Sequence, residues 1–267
     1  MISVIIPTCN RNDLLNQSLD CLYVAINATM AIDYEVIITD DGKQNTAKSL
    51  IEEKYPWATW IAGPQKGPAA NRNNGAGIAN GQWFIFMDDD CLPQEGWLQA
   101  YLTAIQTQPD AKVLEGKTTA ERERERFDEE APINLEGGKL WSCNFAIKKD
   151  VFNQLNGFDE TFPFAAMEDI DFHTRVNLLS PILFVPQALI IHPWRRIVPF
   201  KSFQKHLKSQ KYFAKKHKLI NLKFRFTRLK IFLGGIFINF KELSRFSMKG
   251  WLVYMETCAL NFCLIFI

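Results

Sequence analysis

The chain has 267 residues, 47% of them hydrophobic, and a formal net charge of +2 at pH 7. It is long enough to bury a sizeable core in one large domain, or in one domain with an appendage. Six cysteines at irregular spacing, without a CxxC pair, argue against a disulfide framework or a zinc site and favour a cytosolic protein. The N-terminal segment has no charged region or cleavage site, so we predict no signal peptide.

Short apolar segments alternate with segments of helical periodicity over residues 1–196. Strands are predicted at 2–6, 34–39, 57–62, 83–87, 112–116, 140–147, 182–185 and 188–191, with helices in the longer intervals. This alternation predicts an α/β fold with a mainly parallel sheet that is flanked by helices.

Three adjacent carboxylates, Asp88, Asp89 and Asp90, follow the predicted strand 83–87. In an open α/β sheet the carboxyl ends of the strands face the ligand crevice. Asp88 and Asp90 are two residues apart, so an extended chain would present both to one side. Their oxygens would then suit a hard divalent cation and a sugar-nucleotide diphosphate. The alternative is an acidic turn that caps the following helix.

Other charged residues follow further strands at the same predicted edge. Asp40 and Asp41 follow the second strand, His192 follows the last, and Arg11 and Arg72 lie in loops or helix starts on that side. Carboxylates with a metal, together with arginines, are the groups that a nucleotide diphosphate needs. The structural alternatives are a turn capped by Asp40, a core histidine at 192 and a surface charge at 72.

The distribution of charge changes in the second half of the chain. Residues 121–130 are nearly all charged, which predicts a solvated helix or a mobile loop without a catalytic role. No Asp or Glu occurs from Phe172 to Lys241, whereas Lys and Arg recur, and this asymmetry predicts an anionic partner. We predict a catalytic domain at 1–196 and a helical, basic and apolar extension at 197–267.

The extension has two interpretations. Its apolar segments, 231–240 and 251–267, are shorter than the roughly 20 apolar residues that span a bilayer. Its helices either pack on the catalytic domain or form an interfacial anchor on an anionic leaflet. We favour the anchor, and therefore predict a cytoplasmic protein that is peripheral on the inner face of the cytoplasmic membrane. Because the apolar faces suit lipid better, we predict no nucleic-acid partner.

Several short motifs occur in a fixed order: VIIPTCNR at 4–11, TDDG at 39–42, NRNNG at 71–75, MDDD at 87–90, NGFD at 156–159 and ED at 168–169. Each motif alone is weak, but their order and spacing together are specific. Over roughly residues 1–196 the chain resembles the family 2 glycosyltransferases with the GT-A fold.

The resemblance implies an inverting transfer of a sugar from a nucleotide-diphosphate donor to a hydroxyl of a saccharide or lipid-linked saccharide. The product would be a cell-surface polysaccharide or a glycolipid. The cofactor would be a divalent metal ion, Mn²⁺ or Mg²⁺. Asp40 would hold the nucleobase, with Thr8 and Arg11 beside it, and Arg72 would contact the nucleotide or diphosphate. The implied nucleotide-sugar-binding residues are Pro7, Thr8, Arg11, Asp40, Arg72, Asp88 and Asp89.

The resemblance also implies a metal site. Asp90 would be the first metal ligand, Asp88 would lie nearer the ribose while contributing to the site, and His192 would be a further ligand. The Asp triplet leaves the register open, because Asp89 can replace either neighbour.

The catalytic base implied by the resemblance is Asp169. Inversion in one step needs a base on the face opposite the leaving group, where it deprotonates the acceptor hydroxyl. Glu168 and Asp171 are local rivals for this role, and an ion pair of Asp169 with Arg175 or Arg72 is the structural alternative.

Two other functions compete with glycosyl transfer. A nucleotidyltransferase usually opens with a glycine-rich, basic phosphate loop, and residues 7–11 contain no glycine. A membrane-surface binding protein that has lost its chemistry would not need to retain Asp88, Asp90 and Asp169.

Overall fold

The structure, a computed structural model, describes residues 1–28 and 33–267. It contains two compact units. The first unit comprises Met1–Glu121, Pro132–Glu160 and Glu168–Pro193; the second comprises Arg122–Ala131, Thr161–Met167 and Trp194–Ile267. The division into domains at 1–196 and 197–267 stays a prediction.

The strands are β1 (Ile2–Thr8), β2 (Tyr34–Asp40), β3 (Thr59–Ala62), β4 (Trp83–Met87), β5 (Leu92–Pro93), β6 (Val113–Ala120), β7 (Glu129–Glu130), β8 (Asn144–Lys148), β9 (Ile182–His192) and β10 (Arg195–Arg196). The helices are α1 (Asn12–Asn27), α2 (Lys48–Lys54), α3 (Pro68–Ile78), α4 (Trp97–Thr107), α5 (Lys149–Gln154), α6 (Glu168–Leu179), α7 (Phe203–Lys216), α8 (Leu222–Arg245) and α9 (Trp251–Cys263), followed by the 3₁₀ helix Leu264–Phe266.

The first unit is built on an eight-stranded sheet of order β3-β2-β1-β4-β8-β6-β9-β5. The pairs β1–β2, β2–β3, β1–β4 and β6–β9 are parallel, whereas β8 pairs antiparallel with β4 and β6, and β5 antiparallel with β9. Helices flank this sheet, so the predicted α/β class with a mainly parallel sheet is confirmed.

β4 lies in the middle of the sheet, and its position explains its unbroken apolar sequence. Phe84 and Phe86 belong to one hydrophobic core, while Ile85 and Met87 belong to the other. A strand that is buried on both faces has no solvent side on which a polar residue would be favourable. The carboxylates that follow Met87 therefore mark the carboxyl edge of the sheet.

β1 and α3 are placed closely beside each other. β1 extends beyond the predicted range 2–6, through Pro7 to Thr8. Its pairing with β4 extends only to Ile5, whereas its pairing with β2 reaches Thr8 and Asp40. On α3, a Cβ added to Gly75 would lie 2.6 Å from Cγ2 of Ile5, so only glycine permits this approach.

The second unit has its own small core of Phe127, Leu243, Phe246 and Val253 and a two-stranded sheet of β7 and β10. Within the described residues, none of the helices combines the length and apolarity needed to cross a membrane.

The charged segment 121–130 follows its prediction as a solvated loop only in its first part, where Arg122, Glu123 and Glu125 are exposed. Asp128 and Glu129 are buried. Arg122 donates to Glu129 at 2.6 Å, and Asp128 accepts from Arg126 at 2.7 Å and from Arg196 at 3.0 Å. The end of the segment therefore forms a paired network, because each of these two buried carboxylates has an arginine partner.

Candidate active site

The turn after β4 places its three carboxylates in three different environments, and the middle one faces the end of β1. Asp89 is fully buried. Its Oδ2 accepts a hydrogen bond from Thr8 Oγ1 at 2.7 Å and another from Arg11 Nε at 3.1 Å. Burial raises the pKa of the Asp89 carboxyl to about 6, against the opposing effect of the Arg11 guanidinium. Asp89 thus fixes Thr8 and Arg11 beside the turn.

Asp90 faces the C-terminal end of β9. Its Oδ1 lies 3.4 Å from Nε2 of His192, and both side chains are buried. Nδ1 of His192 lies 2.7 Å from the carbonyl oxygen of Pro193, so in the neutral ring Nδ1 carries the proton and Nε2 presents a lone pair. A lone pair that faces a carboxylate oxygen is stabilised by a cation between the two. Asp90 and His192 therefore fit a divalent metal ion, with the backbone carbonyl orienting the ring.

Cys91 is the third potential metal ligand of this group. One ligand atom from each of Asp90, Cys91 and His192 lies within 4.8 Å of the other two. Burial, followed by a hydrogen bond with Cys143, raises the pKa of the Cys91 thiol well above its ordinary value. A neutral thiol is a weak ligand for Mn²⁺ or Mg²⁺. The carboxylate and the imidazole are therefore the better ligands.

Asp88, the first carboxylate of the turn, is held by α3. Arg72 Nη2 donates to Asp88 Oδ1 at 2.6 Å, and Arg72 Nη1 lies 4.0 Å from Oε1 of Glu168. The guanidinium also lies over the Phe158 ring, 5.5 Å from its centre. Nε and Nη1 of Arg72 are buried and have no hydrogen-bond acceptor among the described residues. A buried cation with two such donors suits an anionic ligand.

Asn71, which sequence reasoning did not single out, positions Arg72. Its Nδ2 donates to the carbonyl oxygens of Thr8 at 3.2 Å and Thr39 at 2.8 Å, and its Oδ1 accepts from Thr39 Oγ1 at 2.6 Å. The side chain thereby joins α3 to the ends of β1 and β2. The available signal was the amide that immediately precedes Arg72 in the NRNNG motif.

The carboxylate of Asp40, the predicted nucleobase ligand, accepts hydrogen bonds from the loop after β2 and from β3. Asp40 is 2% exposed, and its carboxylate accepts from the backbone N–H groups of Gly42 at 2.7 Å and Ala47 at 2.6 Å and from Trp60 Nε1 at 3.1 Å. Pro7 is likewise buried, within β1. Both residues shape the end of the sheet, and neither lines the adjoining cavity that the described residues form.

That cavity has a volume of about 660 Å³ and lies after the carboxyl ends of β1, β2 and β3. Asp41 lines it, and its carboxylate is fixed by the backbone N–H groups of Gln65 at 2.8 Å and Gly67 at 2.9 Å. The volume is in the range of small-molecule sites. The lining residues are Cys9, Asn10, Asp41, Lys43, Gln44, Asn45, Gln65 and Gly67.

The three acids at the start of α6 are not equivalent. Asp171 is fully buried and accepts from Arg175 Nε at 2.8 Å. Arg175 Nη1 also donates to the carbonyl oxygens of Leu155 and Gly157. This network commits Asp171 to an ion pair inside the unit, and Arg175 pairs with Asp171 and not with Asp169.

Asp169 is half-buried, and its Oδ1 accepts from the backbone N–H of Ile170 at 2.8 Å. Glu168 is buried near Arg72. Burial raises the pKa of both carboxyl groups above their ordinary values, and the Arg72 charge opposes this effect at both. A carboxylate with a raised pKa is a stronger base than an exposed one.

The chain is similar to known proteins both in sequence and in structure. The poly(ribitol-phosphate) beta-glucosyltransferase of Bacillus spizizenii is 34% identical over 116 residues, which are 41% of this chain and 18% of that protein. S. aureus TarS 1-349, solved in complex with UDP-GlcNAc, superposes with a TM-score of 0.60 at 19% identity, over 80% of this chain and 65% of that one.

The mannosyltransferase PcManGT from Pyrobaculum calidifontis, solved in complex with GDP-Man and Mn²⁺, gives a TM-score of 0.57 at 18% identity, over 81% of this chain and 64% of that one. The chain spans 65% or less of the length of the first curated relatives that it matches. The sequence profile described as "Glycosyl transferase family 2" matches residues 3–168. Since that match covers more than half of the chain and the fold agrees with its structural neighbours, this protein belongs to glycosyl transferase family 2 and has the GT-A fold.

Proposed function

We propose that the protein is a metal-dependent, inverting glycosyltransferase that moves a sugar from a nucleotide-diphosphate donor to a hydroxyl of a saccharide or lipid-linked saccharide. The observation that carries the proposal is that the turn after β4 holds both a carboxylate bound to a buried cation, Asp88 with Arg72, and a carboxylate beside an imidazole, Asp90 with His192. This edge offers both donors for a diphosphate and ligands for a metal.

On the donor side, the nucleoside would occupy the cavity lined by Asp41, and its diphosphate would accept hydrogen bonds from Arg72 and Arg11. Asp40 would support this site by shaping the loop after β2, and Asp88, held by Arg72, would lie towards the ribose. Mn²⁺ or Mg²⁺ held by Asp90 and His192 would neutralise the charge that develops on the departing diphosphate. The solved neighbours' UDP-GlcNAc and GDP-Man complexes support a donor of this class.

On the acceptor side, Asp169 would take the proton of the attacking hydroxyl. It is more accessible than Asp171, which is committed to Arg175, and its raised pKa suits a base. The polymer named for the Bacillus relative, poly(ribitol phosphate), supports an acceptor in cell-surface polysaccharide or glycolipid synthesis. Such an acceptor suits an enzyme that is cytoplasmic and peripheral on the inner face of the cytoplasmic membrane.

The test is Asp169→Asn. We expect kcat to fall by about 10²–10⁴-fold with donor Kd nearly unchanged, because a general base contributes rate and not ground-state affinity. The base acts only when ionised, and burial raises the pKa of Asp169, so wild-type kcat/KM should decline as the pH falls through that raised pKa. The Asn variant should lack this limb.

Two further variants make the result specific. Asp171→Asn should lower thermal stability yet retain turnover per folded molecule, since Asp171 is tied to Arg175. Normal turnover of Asp169→Asn with an inactive Glu168→Gln would assign the base to Glu168, and full activity of both variants would reject the mechanism. Release of a nucleoside diphosphate from the donor identifies glycosyl transfer, whereas release of pyrophosphate from a nucleoside triphosphate would identify nucleotidyl transfer.

A further inference from the structure

An apolar stripe runs along the solvent-exposed side of α8 in the second unit. α8 has 24 residues, which corresponds to a length of about 36 Å. Six large apolar side chains recur at intervals of three or four residues and fall within an arc of about 80° on the helix circumference. All six are exposed, and together they form what we call the α8 stripe: Leu222, Phe226, Leu229, Leu233, Phe237 and Phe240.

Positive charges border the α8 stripe. By helical spacing, Lys223, Lys230 and Lys241 follow one border and Arg225 the other. The single acid of α8, Glu242, lies well away from the stripe and is paired with Arg124 at 2.5 Å. A long apolar face with lysines along one edge and an arginine at the other is the pattern of a helix that lies in a membrane interface.

We infer that the α8 stripe docks on the surface of an anionic lipid bilayer. The apolar side chains enter the boundary between headgroups and acyl chains, and the bordering lysines and arginine meet lipid phosphates. The helix lies along the surface, since within the described residues no helix can cross a membrane. This inference names the surface that would hold the protein at the membrane. It rests on the proposed function only for the identity of that membrane.

A second copy of the chain is the other occupant that a stripe of this spacing suits, because intervals of three and four residues also occur in coiled coils. Two stripes packed face to face would bring their basic borders together, and α8 offers no acid along either border to compensate. Like charges across an interface are destabilising, whereas anionic headgroups are complementary to both borders. The charge pattern therefore favours lipid.

The experiment compares two neighbouring substitutions in the full-length chain. Phe237 is 76% exposed within the stripe, and Ile238 is 69% exposed but lies about 100° farther around the helix. The assay is flotation with vesicles of phosphatidylcholine alone, or mixed with phosphatidylglycerol. We expect wild-type protein to float only with the anionic vesicles, and less as salt rises. Phe237→Asp should weaken binding by about tenfold or more, because it places a charge where the bilayer would otherwise cover an apolar ring.

Ile238→Asp is the matched control and should stay within about twofold of wild type, since it adds the same charge outside the stripe. Equal effects of the two substitutions, or no binding of wild-type protein to anionic vesicles at low salt, would overturn the inference. So would sedimentation showing a lipid-free dimer that Phe237→Asp dissociates while vesicle binding is unchanged. Calorimetry with a nucleoside diphosphate on the same preparations separates the two proposals, because donor binding does not involve the α8 stripe.

Discussion

Replacement of Arg72 by lysine tests whether the buried guanidinium is a diphosphate receptor or only a structural ion. Lysine keeps the charge next to Asp88 but loses the fork of nitrogen donors. Two of those nitrogens, Nε and Nη1, are buried without an acceptor among the described residues, so they contribute little to folding and remain available to a ligand. The variant should therefore fold but bind nucleotide poorly.

The magnitude follows from the lost donors. A hydrogen bond to a charged group contributes about 1.5–3 kcal/mol, so losing one of them should raise the Kd for a nucleoside diphosphate by about 10- to 150-fold. Arg72→Met is a different perturbation. It removes the guanidinium whose nitrogens lie 2.6 Å from Asp88 Oδ1 and 4.0 Å from Glu168 Oε1. Breaking a buried pair in this way costs about 3–5 kcal/mol of folding stability.

The matched control is Arg175→Lys. Arg175 is also largely buried and also pairs with an aspartate, Asp171, at 2.8 Å, but its Nη1 donates to two backbone carbonyls. This substitution should lower the unfolding temperature and leave nucleotide affinity unchanged. Isothermal calorimetry with UDP and GDP, with Mn²⁺ present, measures both variants. Affinity of Arg72→Lys within about twofold of wild type, or an equal loss in Arg175→Lys, would refute the reasoning.

Two other perturbations address the metal and the second unit. Asp90→Asn should remove the Mn²⁺-dependent part of nucleotide binding, since only His192 would remain of the proposed pair; titration with Mn²⁺ and EDTA checks this, and full metal dependence in the variant would contradict it. The hydrogen bonds from Arg126 lower the pKa of Asp128 below its ordinary value of 3.8, so its contribution to stability is present above pH 3.8 and disappears as the pH falls through the lowered pKa. Asp128→Asn should therefore reduce stability at neutral pH and narrow its gap to wild type in acid, which denaturant unfolding at several pH values measures.

The sequence predicted the sheet well because its signals are local. β4 is apolar throughout since both faces are buried, and the change from Met87 to Asp88 marks the sheet edge without knowledge of any partner. The parallel class followed from the alternation of strands with helices. These features depend on residues that are close in the chain, which periodicity can capture.

The partners of individual charges could not be predicted in the same way. Asp89 binds Thr8 across 81 positions of the chain, and Asp128 binds Arg196 across 68. Local sequence shows that such residues are charged but not which opposite charge the fold brings to them. For this reason the sequence predicts a solvated segment at 121–130 although Asp128 and Glu129 are buried, and it does not show that the Asp40 carboxylate accepts hydrogen bonds from the loop that follows it.

The Asp triplet illustrates why three consecutive carboxylates are compatible with one folded turn. Asp88 is balanced by Arg72 on α3, Asp89 by the guanidinium that follows β1, and Asp90 faces His192 at the end of β9. Each carboxylate therefore has its own partner on a different part of the fold, and these partners offset the repulsion between the neighbouring carboxylates. The same arrangement makes the three positions non-equivalent, because, of the three carboxylates, only Asp90 lies beside an imidazole, and this is why we propose it as the metal ligand. Asp89 is buried and held by its contacts with Thr8 and Arg11 at the β1 end, and we therefore propose that it positions these residues and does not bind the metal.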